Sequence, residues 1–224
     1  GVNIDVPPFK LGEDNKTAEF LKKNPVGKVP VLETPEGPIF ESNAIARYVA
    51  RLSKDHKLYG SNDYDAGLVD QWVDFTVTEI DLPSAAWLYP IFGYMPLNKG
   101  ATDKAKSDIR NVLDVLNNYL LNRTFLVGQR VTLADIVVAT SLLRLYQHVL
   151  DPNFRKSFTN TTRWFNTVVN QPQFKAVVGE VKLAEKMAVA KAPEKKEEPK
   201  AEKPKEQPKK EAPKPKPKEV EEDD

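Results

Sequence analysis

The sequence contains no cysteine in its 224 residues, which excludes disulfide bonds, thiolate metal sites and cysteine nucleophiles. This absence fits a reducing compartment and agrees with a cytoplasmic location. The two histidines, His56 and His148, cannot build a histidine-based metal site without carboxylate ligands, and neither has a partner at ligand spacing. We therefore expect structural roles for both histidines and no metal site.

Long hydrophobic runs and glycine-rich phosphate loops are also missing from the chain. Without a hydrophobic run of sufficient length, no membrane-spanning helix is expected. Without a phosphate loop, nucleotide binding by this chain is not expected. The formal net charge is only +1, so the chain lacks the large excess of basic residues that a dedicated nucleic-acid-binding protein carries.

Composition divides the chain near Lys191. Residues 191–224 hold eleven lysines, eleven acidic residues and seven prolines, with Val220 as the one aliphatic side chain larger than alanine. Such a segment buries too little apolar surface to offset the entropy of ordering, so we predict a disordered Lys/Glu/Pro linker. The aromatic residues all lie before this point, and we predict folded domains over 1–54 and 63–190.

The first quarter of the sequence has a mixed α/β pattern. Alternation of Val2, Ile4 and Val6 with polar residues predicts a first strand. A short helix is predicted over 17–23, and it ends before Pro25 because the residue preceding proline disfavours helix. Short strands over 29–32 and 39–40 are joined by a tight turn at 34–37. Ser42 then opens a second helix.

Helical periodicity governs the chain from Tyr64 onward. Apolar residues recur at spacings of three and four, as on the buried faces of packed helices. The stretch 133–150 is apolar nearly all round, which predicts a helix at the centre of a bundle. The pattern over 174–187 predicts one last helix. The expected fold is therefore a small α/β unit followed by helices only.

Two stretches of the first unit, 24–32 and 40–45, resemble the glutathione-transferase family. The resemblance implies a thioredoxin-like unit that is truncated at its start, since a strand, a helix and the hydroxyl that activates glutathione precede these stretches in the family. It implies an all-helical glutathione-transferase C-terminal domain after this unit. It also implies that a cis Pro30 presents the backbone of Val29 to the cysteinyl part of glutathione.

The resemblance implies three further contacts with glutathione. Glu41 and Ser42, at a helix start, would bind the γ-glutamyl group, and Lys28 would meet the glycyl carboxylate. Free amides at a helix N-terminus attract a carboxylate, so this arrangement is physically sound. Each residue also has an ordinary structural interpretation, because Ser42 is a common helix N-cap and Pro30 shapes a turn.

A second block, residues 125–136, is shared with the same family and precedes the apolar helix. Thr132 and Asp135 have the spacing of a capping box, with Asp in place of the usual Glu. An aspartate before an apolar helix also raises the alternative of a catalytic acid. Capping accounts for both polar residues, so we interpret the pair as a structural cap and predict no catalytic residue here.

Residues 87–90, 163–174 and 178–187 are similar to a narrower family, the gamma subunits of eukaryotic translation elongation factor 1. This resemblance implies a non-catalytic scaffold that anchors the exchange subunits of elongation factor 1B, which act on elongation factor 1-alpha. Aminoacyl-tRNA synthetases and a second copy of the chain are further partners that it allows. No cofactor is implied, with glutathione as the one candidate ligand. The alternatives are an active glutathione transferase and a nucleic-acid or synthetase-docking module.

Overall fold

The computed structural model describes residues 2–52 and 57–190. The predicted disorder of 191–224 and the predicted structural role of His56 lie outside these residues. The first part of the chain forms helix α1 (Ala18–Lys23), strands β1 (Val31–Thr34) and β2 (Gly37–Phe40), and helix α2 (Ser42–Leu52). The strands pair antiparallel, with Val31 opposite Phe40 and Thr34 opposite Gly37.

Local side chains fix the ends of these first elements. The helix end before Pro25 and the tight turn are confirmed, whereas the strand predicted over 29–32 lies at Val31–Thr34, because Pro30 has no N–H to donate to a ladder, and the strand predicted over 39–40 begins at Gly37. The Thr17 hydroxyl accepts a hydrogen bond from the Phe20 N–H at the start of α1, which is ordinary N-capping. Helix α1 ends at the Asn24–Pro25 boundary. In the hairpin turn, the Thr34 hydroxyl donates to the Gly37 carbonyl at 2.8 Å. This bond closes the tight turn between β1 and β2.

The predicted strand at residues 2–6 is wrong. Residues 2–10 carry no secondary structure, and Val6 is 82% exposed. A strand needs a hydrogen-bonded neighbour, and in the described part of the chain the only sheet is the β1–β2 pair. Pro7 and Pro8 follow at once and have no N–H with which to extend a ladder.

The remainder of the described chain is helical. Helix α3 (Asp63–Phe75) passes through a π-helical stretch (Thr76–Asp81) into α4 (Leu82–Phe92). The helices that follow are α5 (Lys99–Tyr119), α6 (Leu133–His148), α7 (Pro152–Arg155), α8 (Thr159–Val169) and α9 (Pro172–Val178). This order of a small α/β unit and then helices confirms the predicted fold class.

Helix α6 lies at the centre of the helical domain, as its apolar sequence predicts. Its residues Val138, Leu142 and Leu145 are fully buried. Tyr146 stacks on Phe165 of α8, with ring centroids 3.9 Å apart and planes 10° from parallel. Because α3, α4 and α8 all pack on α6, most of this helix is covered, and its exposed strip is narrow, with Thr140 and Arg144 one turn apart.

The predicted last helix over 174–187 is too long. Helix α9 ends at Val178, and Gly179 takes a φ of +80°, where glycine is favoured over other residues. Residues 179–190, called the strap below, contain no helix and run along the end of α6. The helical spacing of their apolar residues reflects contact with the core and not helix formation.

Two sets of contacts join the α/β unit to the helical domain. Arg47 of α2 donates from Nε to the Asp70 carboxylate of α3 at 2.6 Å and forms a second ion pair with Asp74. The Leu133 N–H at the start of α6 donates to the Leu58 carbonyl at 2.8 Å. The Arg47 ion pairs fix the position of α2 against the bundle, and the Leu58 bond ties the segment before α3 to the start of α6.

Candidate functional site

The loop at residues 24–30 is built around the buried side chain of Asn24. Its Nδ2 donates to the Lys28 carbonyl at 2.7 Å, and its Oδ1 accepts from the Val26 N–H at 3.0 Å. Asn15 donates from Nδ2 to the Gly27 carbonyl at 2.9 Å. Three backbone polar groups of this loop are thus satisfied by two side chains, which fixes the path of the backbone toward Val29.

The end of this loop lies beside the start of α2. The Val29–Pro30 peptide bond is cis, the geometry that the family resemblance implies. Strand pairing ends at Val31–Phe40, so Pro30 and Glu41 are the residues that directly adjoin the last pair of the ladder. The hairpin therefore brings Val29 and Pro30 near Glu41 and Ser42, although ten residues lie between Pro30 and Glu41 in the sequence.

Glu41 and Ser42 form the first turn of α2. Glu41 has a left-handed φ of 70°, uncommon for a residue with a Cβ, and its carbonyl accepts the Ile45 N–H at 3.0 Å. Ser42 is the first helical residue and is exposed. Among the described residues the N–H groups of Ser42 and Ala44 have no acceptor. This turn therefore presents free donors and a hydroxyl to an anionic ligand.

Lys28 is exposed, and within the described residues its ammonium makes no ion pair. Lys28 is held in the loop through its backbone carbonyl, which accepts a hydrogen bond from Asn24 Nδ2. The sequence singled out Lys28 but not Asn24, although Asn24 orders the loop. An asparagine directly before Pro25 at a helix end was the available signal, since asparagine side chains readily bond to backbone groups two residues onward.

A cleft of about 850 Å³ opens on one side of this region. Val29 and Pro30 line it, together with β1 and with Ile45, Tyr48 and Val49 of α2. Residues 2–7 form its opposite wall. The cleft is mostly apolar in its lining, and Lys28, Glu41 and Ser42 lie outside it. The predicted site residues therefore divide between the apolar cleft and the polar helix start.

Thr132 and Asp135 lie far from this region, at the start of α6. The Asp135 carboxylate is fully buried and accepts from the Thr132 N–H (2.9 Å), the Thr132 hydroxyl (3.1 Å), the Leu126 N–H (2.9 Å) and the Trp164 indole (2.8 Å). Burial raises the pKa of the Asp135 carboxyl, and the bond from Trp164 and the other donors oppose that rise. With its oxygens occupied by these four donors, this carboxylate serves as a cap.

The described residues hold neither a metal-binding cluster nor a membrane-spanning helix. In residues 2–52 and 57–190, no group of three or more His, Asp or Glu side chains is placed to hold a metal ion. None of the described helices combines the length and apolarity needed to cross a bilayer. His148, the one histidine described, packs edge-on against Phe92, and burial together with Arg144 lowers its pKa.

Comparison with known protein families gave two matches. Residues 1–51 match the glutathione S-transferase N-terminal domain, and residues 80–172 match the glutathione S-transferase C-terminal domain. Poplar glutathione transferase F1 has the same architecture, with a TM-score of 0.65 and 26% identity over 73% of this chain and 78% of that one. The chain belongs to the glutathione S-transferase-like family.

Within that family, the chain is similar to elongation factor 1-gamma. The human protein is 52% identical over 187 residues, and the Xenopus laevis protein, elongation factor 1-gamma-A, is 52% identical over 188 residues. These alignments cover 83% and 84% of this chain, and the chain spans 42% of the length of each relative. The crystal structure of the GST-like domain of elongation factor 1-gamma from Saccharomyces cerevisiae superposes with a TM-score of 0.69 and 29% identity, over 79% of this chain and 83% of that one.

Proposed function

We propose that this chain is a non-catalytic scaffold in the translation elongation factor 1 complex. It anchors the guanine-nucleotide exchange subunits that act on elongation factor 1-alpha, and it works in the cytoplasm. The observation that supports this most is the 52% identity to elongation factor 1-gamma over 187 residues, a span that matches the extent of the folded region. Exchange subunits are the principal partners in this proposal, with synthetases and a second copy as further ones.

An exposed cluster of aromatic side chains supports a protein-binding role. Tyr94 is 75% exposed and makes edge-to-face contacts with Tyr89 and Phe92, at centroid distances of 5.7 and 5.9 Å. Met95 and Leu97 follow in the chain and are also exposed. Contiguous exposed apolar side chains mark interaction surfaces, and aromatic residues and methionine are enriched there. We call these five residues the aromatic patch.

Two assays on the purified chain test the scaffold proposal. In size-exclusion chromatography, the chain should co-elute with a purified exchange subunit of elongation factor 1. In a fluorescence assay of GDP release from elongation factor 1-alpha, the chain alone should give no acceleration, whereas its complex with the exchange subunit should be active. Separate elution at micromolar concentrations, or GDP release by the chain alone, would contradict the proposal.

A second candidate function is glutathione binding at the start of α2, and transferase activity is its enzymatic extension. The free N–H groups and the exposed hydroxyl at Ser42 favour it, because they suit a carboxylate at a helix N-terminus. The Val29 backbone, next to the end of the β1–β2 ladder, is the edge at which this proposal has the cysteinyl part of glutathione pair. In this proposal Glu41 would accept the ammonium group of glutathione, and Lys28 would meet its glycyl carboxylate.

Calorimetric titration with glutathione tests this second function. Ser42→Ala should weaken binding by about 1–3 kcal/mol through loss of a hydroxyl contact to a charged group. Ser61→Ala, an exposed serine in the helical part of the chain, is the matched control and should leave affinity unchanged. Conjugation of a generic electrophile should stay at background if the chain binds glutathione without activating its thiol. No heat of binding in the unmodified chain would end this proposal and leave the scaffold proposal intact.

A further inference from the structure

The strap, residues 179–190, supplies hydrogen-bond donors to the end of α6. The Ala184 N–H donates to the Tyr146 carbonyl, and the Ala188 N–H donates to the His148 carbonyl, each at 2.8 Å. The last four carbonyls of a helix have no partner inside the helix and need one elsewhere. The Val149 and Leu150 N–H groups serve the Leu145 carbonyl locally, and the strap serves the Tyr146 and His148 carbonyls.

Arg155 of α7 joins the strap to the turn after α6. Its Nη1 donates to the Leu150 carbonyl at 2.6 Å and to the Ala184 carbonyl at 2.8 Å. Both acceptors are backbone groups, and in the described residues the guanidinium makes no ion pair. Arg155 thus hydrogen-bonds to both the strap and the turn after α6, and it holds the strap against the bundle.

The strap is otherwise weakly held. Ala184 is its one buried residue, while Val181, Leu183 and Met187 are half-buried. It contains no helix or strand, and it begins at Gly179, where α9 ends. Segments with few buried contacts and no internal hydrogen-bond ladder open at lower free energy than the core. Tyr146, directly beneath the strap, is by contrast fully buried and stacked on Phe165.

We infer that the strap opens and closes as a unit of its own, held shut by Arg155, while the helical bundle stays folded. Opening removes the donors from the Tyr146 and His148 carbonyls and uncovers the apolar surface under Ala184. The result is a conformational device at one end of the bundle. It controls access to the end of α6, at the point where the chain leaves the helical domain.

Amide hydrogen exchange on the full chain, read by NMR, tests this inference. Arg155→Met keeps the aliphatic stem and removes the donors. It should speed exchange at the Ala184 and Ala188 amides by about tenfold, the effect of losing a typical hydrogen bond. Exchange at Leu142 and Phe165 should stay unchanged. Arg163→Met is the matched control, because Arg163 likewise donates to two carbonyls, those of Leu120 and Arg123, away from the strap.

Two outcomes would overturn the inference. One is unchanged exchange at Ala184 and Ala188 in Arg155→Met, and the other is equal acceleration of these amides and those of α6. Should Arg155→Met fail to fold, exchange in the unmodified chain at low urea still decides. The strap amides should then show a weaker dependence on urea than the Leu142 amide, because opening the strap exposes less surface than unfolding the bundle. Equal dependence would mean that no separate opening exists.

Discussion

The indole N–H of Trp164 donates to the carboxylate of Asp135 at 2.8 Å, and this bond ties α8 to the first turn of α6. The same carboxylate holds the Leu126 N–H from the loop after α5. One buried side chain thus connects two helices and a loop in the centre of the helical domain. Its role exceeds that of an ordinary helix cap, which serves only the helix that it begins.

Asp135→Ala should therefore cost more than the loss of a cap. A helix cap is worth about 1 kcal/mol, but this substitution also leaves the Trp164 and Leu126 donors buried without an acceptor. We expect a loss of about 3 kcal/mol or more in the free energy of unfolding, measured by urea denaturation. A loss near 1 kcal/mol would mean that only the cap matters.

Trp164→Phe isolates the bond between the two helices. It removes the indole donor and keeps most of the ring, and we expect a loss of about 1–3 kcal/mol in unfolding free energy. The control is Trp72→Phe, since the Trp72 indole nitrogen is buried without a hydrogen-bond partner in the described residues. Trp72→Phe should cost less. Equal losses would show that ring volume and not the bond sets the effect.

Part of this centre could be predicted from the sequence. Thr132 and Asp135 are three residues apart, and that spacing before an apolar helix indicates a capping box. The hydrogen bond from Trp164 to Asp135 could not be predicted. The two residues are 29 positions apart in the sequence, and only the packing of α8 on α6 brings them together. Local spacing reveals caps and turns, whereas contacts between elements depend on the tertiary fold.

Asn24→Ala should loosen the loop that leads to Val29. The substitution removes the amide that holds the Lys28 carbonyl and the oxygen that holds the Val26 N–H, and Asn24 is buried. We expect a loss of about 1–3 kcal/mol in unfolding free energy, measured by thermal or urea denaturation. Asn3→Ala, at an exposed position, is the control and should be neutral. A neutral Asn24→Ala would show that the loop does not need this side chain.

The contact between α2 and α3 should make stability depend on acid pH. Burial acts to raise the pKa of Asp70, but hydrogen bonds from Tyr59 and Arg47 outweigh it, so the pKa lies below its ordinary value of 3.8. A depressed carboxyl pKa contributes stability that is present above that ordinary value and is lost as pH falls through the folded-state pKa.

Arg47→Met removes one of the groups that depress this pKa. Melting temperatures measured from pH 7 to pH 2 should show a difference between the unmodified chain and Arg47→Met that is present at neutral pH and shrinks below about pH 4. Arg130→Met, an exposed arginine, is the control and should show no such convergence. A difference that stays constant down to pH 2 would contradict the linkage to Asp70.

Two sequence predictions failed for one physical reason. The alternation at Val2–Val6 and the helical spacing over 174–187 both describe where apolar side chains face, but neither specifies where the backbone hydrogen bonds go. At 2–6 no neighbouring strand is paired in the described residues. Beyond Gly179 the backbone bonds to α6 and Arg155 instead of to itself. The hairpin and α1 were predictable because their hydrogen bonds are local.

The scaffold role is tested most directly by the affinity of the chain for an exchange subunit, measured by isothermal titration. We expect binding by the unmodified chain and at least tenfold weaker binding by Phe92→Ser/Tyr94→Ser, since truncating central aromatic side chains of an interface costs about 2 kcal/mol or more. Tyr64→Ser is the matched control, because Tyr64 is as exposed as Tyr94, at 75%, but lies outside the aromatic patch. Its affinity should equal that of the unmodified chain. No binding by the unmodified chain would contradict the scaffold role itself.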